Sequence, residues 1–311
     1  TSGTGGSGSI DYGLTASGFT GKVNFSERTA DAGLGITANE GYLTINGTPY
    51  TVITSLGAAG GSTTGTDLQG MNGNGKYFVG VDIDASATAT WNSNGSGGYY
   101  GFAPIGTFTG TFDGGGHTIS NLTINRPETN CVGLFGFANG ATLANVGLNA
   151  GSVTGQYNVG GLVGATYNNV SIIRSYATGN VSGGTGENDS YFGGLVGSLE
   201  SGGTVTESYA TGNVSGYNRV GGLIGLNNGA VTWSYAIGGV SGTNFIGGLA
   251  GFNDGGSIGN SYATGSVSGT EQVGGLVGNN LRGSISSSYA TGSVSGTNYV
   301  GGLVGDNGGS I

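Results

Sequence analysis

Residues 261–278 read SYATGSVSGTEQVGGLVG and residues 288–305 read SYATGSVSGTNYVGGLVG. Two stretches this alike decide the fold, because the same blocks run back through the chain. The GGLVG block recurs at 160–164, 193–197, 274–278 and 301–305, with GGLIG at 221–225, GGLAG at 247–251 and a degenerate VGLFG at 132–136. Its leucines, Leu134, Leu162, Leu195, Leu223, Leu249, Leu276 and Leu303, are 28, 33, 28, 26, 27 and 27 residues apart, so the unit is about 27 residues. SYATG, or SYAIG at 234–238, and a V-S-G block keep the same phase. Each block is short, rich in β-branched and aromatic residues and bounded by turn residues, which is the signature of a strand. No unit holds the ten or so consecutive residues of helical periodicity that a helix-hairpin repeat needs.

Such a unit cannot bury its apolar face alone, but identical units stacked in register can. The expectation is an all-β fold, a parallel β-helix (β-solenoid) with about 27 residues per coil and coils about 4.8 Å apart. Like residues then form ladders. Leu162, Leu195, Leu223, Leu249, Leu276 and Leu303 fall inside, with the apolar residues that precede each Gly-Gly and follow each leucine. Strict alternation would send a leucine and its successor to opposite faces, so Gly-Gly is expected to make a bend or bulge that turns both sets inward. Tyr176, Tyr209, Tyr235, Tyr262 and Tyr289 form an aromatic ladder. Asn227, Asn253, Asn280 and Asn307 form a ladder that tolerates left-handed backbone and bonds along the stack.

Composition agrees. The 311 residues include 74 glycines, 16 acidic and 7 basic side chains, 3 prolines, one cysteine and one histidine, for a net charge of −9. Collagen is excluded because glycine does not recur every third residue. Without a basic run there is no footprint for nucleic acid. No stretch approaches the roughly 20 apolar residues of a membrane span. Lone Cys131 cannot form an internal disulfide and reads as a small buried hydrophobe. Calcium-binding nonapeptide rolls need an aspartate in every nonapeptide, and the chain has too few.

Residues 1–9 read as a flexible Gly/Ser segment, 10–130 as an irregular opening part of the solenoid, and 131–311 as the repeat region. In the opening part, Thr66 and Gln69 have capping-box spacing, so one short helical turn is expected over Asp67–Met71. Ile311 aligns with Ile285 and Ile258, so the repeat region is expected to be truncated within a repeat and the chain to be an interior fragment.

These residues resemble the GLUG-repeat proteins, named for the G-L-x-G core. The run from Tyr50 to Gly136, including FAPIGTFTGTFDGGGHTISNLTINRP, is similar to the segment that precedes such repeats in filamentous-haemagglutinin-like exoproteins of Gram-negative bacteria. The resemblance implies a right-handed β-helix in a surface or secreted adhesin, exported by two-partner secretion through an outer-membrane partner transporter. That family's amino-terminal secretion domain has no counterpart in these residues.

Chemistry is weighed against this. Similar repeats occur in immunoglobulin A-cleaving metallopeptidases, whose zinc site needs H-E-x-x-H; His117 alone cannot build it, nor is its G-G-G-H-T-I turn a setting for a catalytic triad. Asp82, Asp84 and Asp113 are the carboxylates from which a glycosidase pair would have to come. No P-loop lysine follows the glycine-rich turns. No catalytic residue, metal ligand or cofactor is therefore expected. Ligand-binding candidates are Glu187 and Asp189, in the one large insertion of the repeat, and Tyr99 and Tyr100, whose rings could stack on sugars. The favoured function is a non-enzymatic adhesin stalk that binds host or bacterial surface glycans or proteins, or associates with itself into fibres. A carbohydrate-active or carbohydrate-binding β-helix is the alternative. An ice-binding solenoid is the second, from the column Thr178, Thr211, Thr264 and Thr291 that Ile237 interrupts.

Overall fold

The computed structural model describes residues 13–25, 43–61, 65–183 and 190–311. They form an all-β parallel solenoid of about 9 turns with about 28 residues per turn. One coil serves for all. It contains the strands Ser257–Gly259, Tyr262–Ala263, Val267–Ser268, Glu271–Gly274 and Val277–Asn280. Each pairs in parallel with its equivalent one coil on, in the register Ile258↔Ile285, Tyr262↔Tyr289, Val267↔Val294, Val273↔Val300 and Val277↔Val304. Five parallel sheets therefore run along the axis, and in this register the repeat brings like residues together.

The interior is built from those columns. Leu195, Leu223 and Leu276 are fully buried, as are Val220, Ile246, Val273, Val196, Ile224 and Val277. The residues before Gly-Gly and after the leucine thus both point inward, and the corner shows how. The strand ending at Gly274 breaks at Gly275–Leu276 before the next begins at Val277, and the amides of Leu276 and Val277 both donate to one carbonyl, that of Leu303, at 2.8 and 3.1 Å. Two residues facing one acceptor is the arrangement of a bulge, and it re-aims the side chains.

Space, not a left-handed dihedral, demands the second glycine of the pairs that have another coil stacked on them. A Cβ at Gly222 would lie 2.1 Å from the carbonyl oxygen of Gly248, and one at Gly248 would lie 2.1 Å from that of Gly275. The alanine of the SYA block presses on the same spot: Ala236 and Ala263 Cβ would each be 2.8 Å away.

Polar groups inside the stack bond along it. Asn227 Nδ2 donates to Asn253 Oδ1 at 2.7 Å, Asn253 to Asn280 at 2.8 Å and Asn280 to Asn307 at 2.7 Å. The serine that opens each SYA block makes a second relay. Ser208, Ser234 and Ser261 each donate Oγ–H to the carbonyl two residues back, at 2.8 Å. Each hydroxyl also accepts the backbone N–H of the preceding coil's serine, at 3.1–3.2 Å. Buried polar groups paired this way escape the roughly 1–3 kcal/mol cost of an unmet bond.

The solenoid begins well before the repeats do. Leu43–Ile45 and Thr48–Ile53 form a hairpin through Asn46 and Gly47, both at positive φ, as expected of an Asn-Gly turn. Thr51–Ile53 then pairs in parallel with Tyr77–Val79, and Lys76–Phe78 with Thr111–Asp113, on the sheet that continues to Ser284–Ser286. The helical turn expected over Asp67–Met71 is not there; the described helical element is a 3-10 turn at Ser86–Thr90. Gln69, the far residue of the supposed capping box, and Asp67 between its two members are used otherwise. The Gln69 amide bonds both the N–H and the carbonyl of Ala103 at 3.0 Å, and Asp67 accepts from Gly70 N–H at 2.7 Å to close a turn.

Two substitutions compare the corner with the core. Leu249→Ala removes an interior column member and is expected to cost about 2–5 kcal/mol. Gly248→Ala adds one methyl yet is expected to cost at least about 1–3 kcal/mol, as overpacking does; urea denaturation of both variants checks this, and a neutral Gly248→Ala would show that the coils have slack at the corner.

Candidate binding cleft on the outer face

One residue before each SYA serine the chain turns a corner in the left-handed region. Asn145, Arg174, Glu207, Trp233, Asn260 and Ser287 hold it in successive coils, with φ between 45° and 54°. Asparagine takes this conformation more readily than most residues. Arg174, Glu207 and Trp233 do not share that ease, and they occupy three consecutive coils. A left-handed corner costs such side chains energy and throws them outward.

Two residues further on lie the tyrosines. Their rings stack along the outside of the solenoid, with Ala177, Ala210, Ala236 and Ala263 pointing into the core. Centroids are 4.9, 4.8, 4.9 and 5.1 Å apart from Tyr176 to Tyr289, and no two neighbours are tilted by more than 8°. Parallel aromatic contacts of this kind add about 0.5–1.5 kcal/mol per pair beyond area burial. Burial and the neighbouring Tyr262 push the Tyr235 phenol up to about 12, and burial pushes Tyr209 further. From Tyr176 to Tyr262 the ladder is an uncharged row of hydroxyls throughout the neutral range.

A strap of residues 13–25 covers one end of the row. Its hairpin, Leu14–Thr15 against Gly18–Phe19, sets the Phe19 ring 5.4 Å from that of Tyr176. Beyond the hairpin, Val23 and Phe25 donate backbone N–H to Gly115 and Gly80 at 3.2 and 2.8 Å. Lys22 Nζ lies 2.5 Å from Asp82 Oδ2. Buried His117 links strap and solenoid, with Nε2 on the Val23 carbonyl at 2.8 Å and Nδ1 on Asp82 Oδ1 at 3.1 Å. Burial raises the Asp82 carboxyl, but hydrogen bonds from Lys22, Thr118 and His117 outweigh it and hold the group down at about 2.

Beside residues 13–16 lies a cleft of about 820 Å³. Residues 13–16 make one wall; Tyr209, Tyr235 and Tyr262 make the floor; Arg174, Glu207 and Trp233 line the other side. Trp233 is 63% exposed. Arg174 is held in place by its own column: Asn145 Nδ2 donates to Asp113 Oδ1 at 3.0 Å, and Arg174 Nε donates to Asn145 Oδ1 at 3.0 Å.

The candidates from sequence fall elsewhere. Tyr99 and Tyr100 are exposed in the 92–100 loop, where the Arg126 guanidinium lies 5.5 Å from the Tyr100 ring. Glu187 and Asp189 lie outside the described residues. Asp82 faces Lys22 and His117, Asp84 bonds Ser86 and Asn121, and Asp113 bonds Gly115 and Asn145. The three carboxylates thus have three separate sets of partners, each of them scaffold. In the threonine column, Thr178 bonds Asn149 and the Ala150 amide, while Ile237 stands 41% exposed. Sequence reasoning passed over Arg174, Glu207 and Trp233. The position one residue ahead of SYA holds Arg174, Glu207, Trp233, Asn260 and Ser287, so no repeated residue marks it in the sequence.

Comparison with known proteins finds the GLUG motif at residues 155–182, 188–215, 242–268 and 269–295. Halomucin of Haloquadratum walsbyi (strain DSM 16790 / HBSQ001) is 44% identical over 121 residues, which is 36% of this chain and 1% of that protein. Among solved structures, a proposed immunoglobulin A1 protease from Bacteroides ovatus superposes with a TM-score of 0.51 at 21% identity, over 85% of this chain and 84% of the other. At that identity the likeness is one of fold.

The tyrosine row makes a pH prediction. A phenol raised in the folded state stabilises it fully below the ordinary tyrosine value, about 10, and the contribution is lost as pH rises through the folded value. Stability is therefore expected to fall between pH 10 and about 12, with part of the tyrosinate absorbance appearing late in the titration. Removing the stack with Tyr235→Leu should shrink the late phase; an unchanged titration curve would contradict the assignment.

Proposed function

We propose that this chain is a section of a non-enzymatic, surface-exposed or secreted stalk that serves adhesion. The observation that carries the reading is the in-register stack itself. From Val159 onward each coil bonds the next through five parallel sheets, so the long axis is reinforced by backbone hydrogen bonds and by the asparagine and serine relays. A rod made this way lengthens by adding coils, each of which buries its apolar columns only against its neighbours. The local similarity to halomucin, of which this chain would span 1%, supports a place within a very long polypeptide outside the cell. No helix among the described residues is long and apolar enough to cross a membrane.

The outer surface suits the role. With 7 basic and 16 acidic residues in 311, it is a polar, weakly charged face of Ser, Thr, Asn and Gly whose contacts are little affected by salt. Resemblance to filamentous-haemagglutinin-like exoproteins supports adhesion and export through an outer-membrane partner. The scaffold roles of Asp82, Asp84 and Asp113 argue against using them in hydrolysis.

Location and adhesion test this together. An antibody raised against residues 155–295 is expected to label intact source cells or the culture medium, and the purified protein to retard attachment of those cells to a surface. Label that appears only after lysis, with attachment unaffected, would overturn the reading.

A further inference from the structure

We propose that the cleft beside the tyrosine row binds a neutral, extended β-linked oligosaccharide lying along the solenoid axis, with about one sugar ring to each coil. This adds a binding activity to the stalk and does not depend on where the protein resides.

Four features of the cleft point to that chemistry. The first is repeat. Arg174, Glu207 and Trp233 occupy one corner of three successive coils, over a floor whose rings recur every 4.8–4.9 Å. That spacing is close to the rise per ring of an extended β-1,4-linked pyranose chain, so one side chain can serve one sugar. The second is the kind of surface. An indole this exposed, beside phenols, offers flat apolar area, and the C–H face of a pyranose lies on such a face as other apolar groups do.

The third feature is charge. A guanidinium donates and a carboxylate accepts, and sugar hydroxyls do both. A polyanion would meet Glu207 and a polycation would meet Arg174, whereas a neutral polyol satisfies the pair. The phenols of Tyr235 and Tyr262, kept protonated by burial, add hydroxyls along the floor. The fourth is pre-organisation. Arg174 is braced through Asn145 to Asp113, and a side chain already fixed loses little freedom on binding.

A peptide strand is the less suitable occupant. The backbone under the cleft already bonds from coil to coil, with Tyr209, Tyr235 and Tyr262 amides donating to Ser175, Ser208 and Ser234 at 3.0–3.1 Å. The tyrosine sheet that floors the cleft therefore has no unpaired row of backbone groups for an added strand.

Calorimetric titration with cello- and xylo-oligosaccharides of two to six units tests the proposal. Affinity is expected to rise from the dimer to about the tetramer and then level, as the cleft fills. Trp233→Asn is expected to weaken hexamer binding at least tenfold while leaving the urea midpoint unchanged or higher, since asparagine suits the left-handed corner. Glu207→Gln is expected to weaken it several-fold with the fold intact. Failure of both hexamers to bind at millimolar concentration would overturn the proposal, as would full affinity in Trp233→Asn. Stronger binding of an extended peptide or of heparin than of either hexamer would also overturn it.

Discussion

One close approach governs the molecule. At the second glycine of the Gly-Gly pairs from Gly161 to Gly275 the backbones of adjacent coils come so near that a β-carbon would fall 2.1–2.6 Å from the next coil's carbonyl oxygen. Everything else depends on that distance. It lets a corner be made without a loop, so that the residue before the pair and the two after it all face inward. It also holds the coils at sheet spacing on every side, which allows the asparagine amides, the serine hydroxyls and the tyrosine rings each to meet their own kind.

The sequence was informative wherever an interaction repeats, because periodicity turns a long-range contact into a fixed offset. The leucine columns, the bend at Gly-Gly and the parallel pairing of SYA with SYA all follow from a step of about 27 residues. What could not be read was every contact made once. The strap meets the solenoid through Phe19 on Tyr176, Phe25 on Phe78 and Lys22 on Asp82, pairs separated by scores of residues and belonging to no pattern. The local cap signal at Thr66–Gln69 failed for a related reason: Gln69 is claimed by Ala103, 34 residues on. The cleft residues fall between these cases. They sit at a periodic position whose occupant changes from coil to coil, so the spacing is legible and the residues are not.

Interior and exterior follow different rules. Inside, a column must stay apolar or pair its polar groups along the stack, so Val, Leu, Ala and Asn recur, with Phe192 or Ala250 taking a turn in columns of valine and isoleucine. Outside, the corners need only a backbone that tolerates left-handed φ. The side chain there is free to differ from coil to coil: Asn145 braces its neighbour, Arg219 lies 5.2 Å from each of three aromatic rings, and Trp233 projects into the open. A rigid, repetitive interior thereby carries a variable exterior, the arrangement a long rod needs if it is to display specific groups at set heights.

Registration of the coils is the central claim, and spin labels on one outward column measure it. Ser215, Ser241, Ser268 and Ser295 are exposed and pair successively in one parallel sheet. Nitroxides placed at Ser241 and Ser268 should sit one rise apart, about 4.8 Å, and give a collapsed, exchange-narrowed spectrum. Labels at Ser215 and Ser295 should sit three rises apart, about 14 Å, and give dipolar broadening without exchange. Well-resolved, non-interacting lines from the Ser241–Ser268 pair would contradict the stacked solenoid and everything argued from it.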